Sequence, residues 1–214
     1  MTPCFPKHFA QTLQLLFLFT LGSQLFAQPS ENLRVNNVRF AQERSPYGGN
    51  AWLEMEIELD VRGNPSPTAP NREFLDDLTV DVALAHNLGN ASRPRLEYFW
   101  TQVELPTLKR GTQRLRFYLS PDQVERGRII NDEPYAWYLQ IAYGGPAGGT
   151  GQPLNQVIAV SANLRDQSRL DRFLDLLDEQ KAQRSGILLP QAESPFRDAY
   201  PDDTPTIKGQ KREE

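Results

Sequence analysis

The stretch AWLEMEIELDVRG, residues 51–63, decides how the rest of the chain is read. Glu54, Glu56, Glu58 and Asp60 alternate with Leu53, Met55, Ile57, Leu59 and Val61. Side chains of a strand point to opposite faces with a period of two, so one face is acidic and the other apolar. A catalytic acid pair needs two carboxylates in environments that push their pKa values apart. A regular row gives all four acids the same environment. The row therefore reads as the solvated face of a β-strand, because ionised groups are costly in an interior. At a sheet edge it would also discourage unwanted pairing.

Strand signals of the same kind recur on either side of this stretch. NLRVNNVRF carries Leu33, Val35, Val38 and Phe40, and its alternation slips at Asn36-Asn37, which predicts a bulge. LTVDVALAH places Leu78, Val80, Val82 and Leu84 on one face. RLEYFWTQVEL (95–105) is apolar on both sides in its middle, and TQRLRFYL supplies Leu115, Phe117 and Leu119. PYAWYLQIAY supplies Tyr135, Trp137, Leu139, Ile141 and Tyr143, and NQVIAVSANL closes the series at 155–164. The connections are rich in Gly, Pro, Asn and Asp, and no long helix interrupts them. Parallel strands would need crossover helices, so the pairing is antiparallel. About seven short strands of this type predict an all-β, immunoglobulin-like antiparallel β-sandwich.

One connection sharpens that expectation. In SPDQVERGRIINDEPYAWYLQI, Ser120 suits a helix cap, Pro121 a first helical position and Gly127 a stop. A helical turn followed by Asp132, Tyr135 and an alternating strand is the E-to-F corner pattern of immunoglobulin-like domains. The usual Cys pair is absent, so the antibody family itself is not indicated. Trp100 or Trp137 is the candidate for the large core aromatic.

The ends are organised differently. Residues 1–27 begin with Lys7 in a polar start, continue with an apolar run from Leu13 to Leu21, and end at Leu25-Phe26-Ala27. This is the layout of a secretory signal peptide, and the apolar part is too short for a membrane span. The expected domains are thus 1–27 signal peptide, 28–164 sandwich, 165–186 amphipathic helix and 187–214 extended or disordered tail. In the helix, Leu170, Phe173, Leu174 and Leu177 recur at i, i+3, i+4 and i+7, with Asp or Ser at the start and Gly186 at the stop. Its leucines either fold back on the sandwich or face another chain, so oligomers through this helix are possible. Leu188, Leu189 and Phe196 are apolar anchors in the Pro-rich tail and suit docking of an extended segment.

Composition limits the chemistry. The single cysteine, Cys4, lies in the signal, so the mature chain has no disulfide, thiolate metal site or cysteine nucleophile. Lys plus Arg number 23 against 27 Asp plus Glu, a net charge of −4, and loss of Lys7 adds one more negative charge. Nucleic-acid binding needs clustered positive charge, so no such partner is expected. His86 is the only histidine after the signal, and reads as a partly exposed strand terminus. A multi-His or multi-Cys zinc site is excluded by this inventory. The loop Gly144–Gly151 lacks the Lys and Ser/Thr of a phosphate-binding loop. Calcium could find oxygen ligands at Asp76, Asp77 and Asp81, or at Asp132 and Glu133, with no matching loop spacing. Asn90 opens a glycan-acceptor triplet. No cofactor and no enzymatic activity are expected. A hydrolase using Asp76, Asp77, Glu133 and His86 is the catalytic alternative. A carbohydrate-binding module that stacks sugars on Trp100, Trp137 and Tyr138 is the other.

The signal, NLRVNNVRF, WLEMEIELDV, RFYLSPDQVERG, YAWYLQI and the tail GILLPQAESPFRDAY together resemble exported bacterial immunoglobulin-like proteins associated with type IV pilus machinery. The resemblance implies a non-catalytic periplasmic or secreted protein that contacts envelope or pilus proteins and has no transmembrane segment once the signal is cut. The chain lacks the long apolar N-terminal helix of a pilin subunit, so it looks like an accessory protein.

Overall fold

A computed structural model describes residues 32–64, 67, 69–89, 95–127, 129, 133–143, 155–184, 188–200 and 204–207. The signal peptide 1–27, Asn90, Asp132, the Gly-rich loop 144–151, the stop Gly186 and the last residues 208–214 lie outside this set.

The chain forms an immunoglobulin-like antiparallel β-sandwich of two four-stranded sheets. Strands β1 (Leu33–Arg44), β2 (Ala51–Val61), β5 (Gly111–Leu119) and β8 (Leu188–Pro190) form one sheet in the order β1-β2-β5-β8. Strands β4 (Leu96–Lys109), β3 (Phe74–Asn87), β6 (Ala136–Tyr143) and β7 (Asn155–Val160) form the other in the order β4-β3-β6-β7. Every pairing is antiparallel. The bulge expected at Asn36-Asn37 is present, as a register shift between Val35 and Asn37. The helical turn α1 (Pro121–Gly127) bridges β5 and β6, with Gln123 and Val124 N–H groups donating to the Ser120 carbonyl. Past the end of β2, Gly63 takes φ 107°, and a Cβ there would collide with the Arg72 carbonyl, so only glycine fits.

The inner core follows the alternation. Leu53, Met55, Ile57, Leu59 and Val61 of β2 meet Leu78, Val80, Val82 and Leu84 of β3 between the sheets, all of them buried. Each such side chain contributes about 1.5–3 kcal/mol when removed from water. Leu115, Phe117 and Leu119 share this core with Leu139, Ile141 and Tyr143. The large aromatic that β4 sends into the inter-sheet core is Phe99, not Trp100, while Trp137 packs on that core half-buried. Tyr135, which the alternation groups with Trp137 and Leu139, stands 41% exposed. It precedes the first paired residue of β6, so the strand's alternation does not extend to it.

Two further layers complete the molecule. Helix α2 (Gln167–Arg184) lies on the outer face of the β4-β3-β6-β7 sheet. The Asp166 carboxylate caps it, accepting the Arg169 N–H at 3.2 Å and the Ser168 hydroxyl at 2.5 Å. These bonds hold the carboxyl below its ordinary pKa. On the opposite side, residues 188–200 cover the outer face of the β1-β2-β5-β8 sheet. The tail, expected over 187–214 as extended or disordered, is extended at 188–190 and forms turns over 191–200. It supplies β8, paired with Phe117–Leu119 of β5, followed by a 3-10 turn at Gln191–Glu193.

Candidate functional site: two covered sheet faces

The acidic face of β2 is not solvated as its alternation suggests. Glu54 is 3% exposed and Glu56 4% exposed, while Glu58 and Asp60 remain half-buried. Strand β2 is also central, not an edge. The reason lies in the register. Arg39 of β1 and Arg116 of β5 flank Glu56, Arg114 flanks Glu58, and Tyr118 flanks Glu54. Arg39 grips Glu56 with two nitrogens, Nε at 2.9 Å and Nη2 at 3.1 Å. Arg116 reaches the same carboxylate at 2.8 Å through Nη2 and 3.0 Å through Nε. Arg114 Nη2 lies 3.4 Å from Glu58 Oε2. The Tyr118 hydroxyl donates to Glu54 Oε2 at 2.7 Å. Buried charge is tolerable here because it is paired and hydrogen-bonded. Burial still pushes the Glu54 carboxyl above its ordinary value, against the pull of Tyr118 and Arg116. The bond that Arg39 donates to Glu56 raises the pKa of its guanidinium further.

The tail roofs this network. Phe196 stacks on Tyr118 with centroids 4.3 Å apart and meets the edge of Trp52 at 6.1 Å. The Arg116 guanidinium sits 4.1 Å from the centre of the Tyr200 ring, a cation–π contact, and Tyr200 adopts φ 62°. Positive φ is unfavourable for a bulky residue and persists only where the surroundings impose it. Gln191, fully buried, organises the turn from within. Its Nε2 donates to the carbonyls of Phe196, at 3.2 Å, and Ala199, while its Oε1 accepts the Thr204 hydroxyl at 2.9 Å. The Ser194 hydroxyl donates to the Gln191 carbonyl and accepts the Phe196 N–H.

The tail anchors are thus used within the chain. Leu188 and Phe196 are buried, and Leu189 is half-buried. The helix behaves in the same way and folds back on its own sandwich. Phe173 and Leu177 are buried against Ala83, Ala85, Tyr98, Ala136 and Tyr138, with Leu170 and Leu174 half-buried beside them. The small Ala83 and Ala85 leave room for Phe173, whose ring meets Tyr98 edge-on at 5.1 Å. Of the seven residues marked as partner anchors, Leu170, Leu174 and Leu189 keep some solvent contact. The three rings considered for sugar stacking, Trp100, Trp137 and Tyr138, do not share one face. Trp137 faces the inter-sheet core, whereas Trp100 and Tyr138 lie on the helix side, Tyr138 buried.

The remaining chemical candidates are scattered. His86 is 2% exposed, not a half-open strand end, because α1 closes over it. A Cβ on Gly127 would stand 2.5 Å from its Nδ1. Phe99 packs against its ring at 4.9 Å, and Glu97, its cross-strand partner, pairs with Arg126 at 3.2 Å. Neither imidazole nitrogen has a hydrogen-bond partner among the described residues. Burial lowers its pKa from 6.5 to about 4. Below pH 6.5 the unfolded chain takes up a proton that the folded chain refuses until about pH 4. Stability is therefore expected to fall as pH drops through that window, by up to about 3 kcal/mol. Urea titrations of wild type and His86→Phe at pH 7 and pH 4.5 check this, the variant losing less. Asp76 and Asp77 are exposed at the start of β3, while Asp81 accepts the Gln102 amide at 2.8 Å. Among the described residues, no three His, Cys, Asp or Glu side chains gather as metal ligands. Among the same residues, no helix is long and apolar enough to cross a membrane.

Sequence reasoning missed Arg116, Tyr118, Gln191 and Tyr200. The signal available was the matching spacing of Arg114 and Arg116 in RLRFYL, a basic row of period two able to sit beside an acidic one.

No protein-family model matches the chain, and no curated protein matches it. The chain is similar to a crystal structure from Akkermansia muciniphila, with a TM-score of 0.56 and 19% identity. The match covers 86% of this chain and 97% of that one, and at this identity the likeness is one of fold.

Proposed function

We propose that this protein is a non-catalytic, exported interaction module that serves as an accessory of cell-envelope or type IV pilus assembly. One observation carries the reading. Three of the segments that resemble exported pilus-associated immunoglobulin-like proteins, WLEMEIELDV, RFYLSPDQVERG and GILLPQAESPFRDAY, are distant in sequence and adjacent in space. Glu54 and Glu56 of the first, Arg116 and Tyr118 of the second, and Phe196 and Tyr200 of the third form one layer. The resemblance thus follows a three-dimensional unit. The fold likeness to the Akkermansia muciniphila structure spans nearly all of that chain, which agrees with a shared architecture.

The partner surface we assign is the half-open apolar rim of α2, at Leu170 and Leu174, together with Leu189 at the tail strand. The deeper anchors Phe173, Leu177, Leu188 and Phe196 hold these surfaces in place. The test is affinity capture from envelope extract with the full chain as bait. Intact protein is expected to recover pilus or envelope components, and Leu170→Asp/Leu174→Asp to lose them by at least about tenfold. Recovery of the same proteins by both baits would move the surface elsewhere. Recovery of none would remove the pilus reading.

A further inference from the structure

We propose that the cleft between the first half of α2 and the adjoining end of the β4-β3-β6-β7 sheet binds a small apolar carboxylate. The cleft measures about 360 Å³, within the range of small-molecule sites. Leu96, Tyr98 and Phe173 form its apolar walls, and Tyr135, Arg169 and Arg172 belong to its rim. No Asp or Glu occurs among its described lining residues, although the protein as a whole is net acidic. Of the acids beside these arginines in the chain, Asp166 is engaged in capping α2 and Asp171 accepts the Gln167 side-chain amide at 2.7 Å.

An independent observation points to a missing oxygen. Tyr98 is 2% exposed, its hydroxyl is buried, and that hydroxyl has no hydrogen-bond partner among the described residues. Buried polar groups are almost always paired, and an unpaired one costs about 1–3 kcal/mol. Tyr98 lines the cleft together with Arg172 and Tyr135, and the Arg172 charge acts on its hydroxyl. A carboxylate held by the planar fork of Arg172 would have a second oxygen to offer to the phenol. Arg169 adds a second positive charge. The remaining walls suit an apolar body, and one negative charge satisfies the polar groups at the mouth. Tyr135, largely exposed, also lines the cleft, and the Asn163 side-chain amide donates to its backbone carbonyl at 2.6 Å.

Titration of the full mature chain with 2-naphthoate, decanoate and N-acetyl-Leu-Phe, followed by amide chemical shifts, tests the site. Saturable binding of at least one of these acids is expected, with shifts centred on Tyr98, Arg172 and Phe173. The acid with the tightest binding identifies the source as aromatic, lipid-derived or peptide C-terminal. The matching neutral amide is expected to bind at least about tenfold more weakly, as are Arg172→Gln and Arg169→Gln. Tyr98→Phe, which removes only the hydroxyl, is expected to weaken binding by about threefold to tenfold. Both arginines are exposed, so these variants retain the fold, and a circular-dichroism melt checks it. Failure of all three acids to saturate overturns the proposal. Equal affinity for acid and amide, or indifference to both arginine variants, overturns it as well.

Discussion

A chain that ends at residue 187 is expected to lose the compact monomer. Such a truncation removes Leu188 and Phe196, both buried, and uncovers Tyr118, Glu54 and Glu56. Losing a buried Phe alone costs about 3–5 kcal/mol and a buried Leu about 2–5. Together they rival the whole stability of a typical domain, about 5–15 kcal/mol. The cut also frees the β5 edge that β8 occupies, and an open edge pairs with other chains. The expected result is a melting temperature lowered by more than about 10 °C, with dimers or aggregates on size-exclusion chromatography. Phe196→Ala is the milder version and is expected to cost about 3 kcal/mol in urea unfolding. A truncated protein that elutes as a monomer and melts within a few degrees of the full chain would show that the tail is a passenger on the sheet.

The second large effect is expected at Arg116. Its guanidinium is buried, reaches Glu56 at 2.8 Å and lies under the Tyr200 ring. Arg116→Ala leaves two buried acids with less compensation and removes the platform for Tyr200. Breaking one half of a buried ion pair costs about 3–5 kcal/mol. Arg39 and Arg114 still reach Glu56, so the lower end of that range applies. An apolar pair in the same volume avoids the penalty of an orphaned charge. Arg116→Met/Glu56→Leu is therefore expected to recover most of the loss. Denaturant titrations of both singles and the double, read as a cycle, measure the coupling. A loss below about 1 kcal/mol for Arg116→Ala would place this pair with ordinary surface ion pairs.

What the sequence disclosed depended on how local the determinant was. The apolar side of β2, the bulge beside Asn36, the turn α1 and the span of α2 are all set by neighbouring residues, and all are legible in the alternation, Pro, Gly and cap positions. The placement of Glu54 and Glu56 is not local. It is decided by Arg116, about 60 residues downstream, and by Phe196, a further 80 or so, and a period of two cannot say whether water or a later segment covers a face. His86 fails for the same reason, since the residue that closes over it is Gly127. Tyr98, Tyr138, Ala83 and Ala85 did carry a trace of the helix layer: strands apolar on both sides are buried on both sides. That trace lay in EYFW, DVALA and AWYLQ, and is clear once α2 is seen to rest there.

Strand β8 also bears on the order of assembly. Its partner β5 is complete about 70 residues before β8 is synthesised, so the join closes one of the longest loops in the molecule, and long-range pairings form late. During vectorial emergence the seven earlier strands can pair while the fourth place in the first sheet stands vacant. Any foreign strand offered in that interval competes with residues 188–190 for the same three positions, Phe117 to Leu119. Final maturation of this protein is thus a contest settled by its own C-terminal segment.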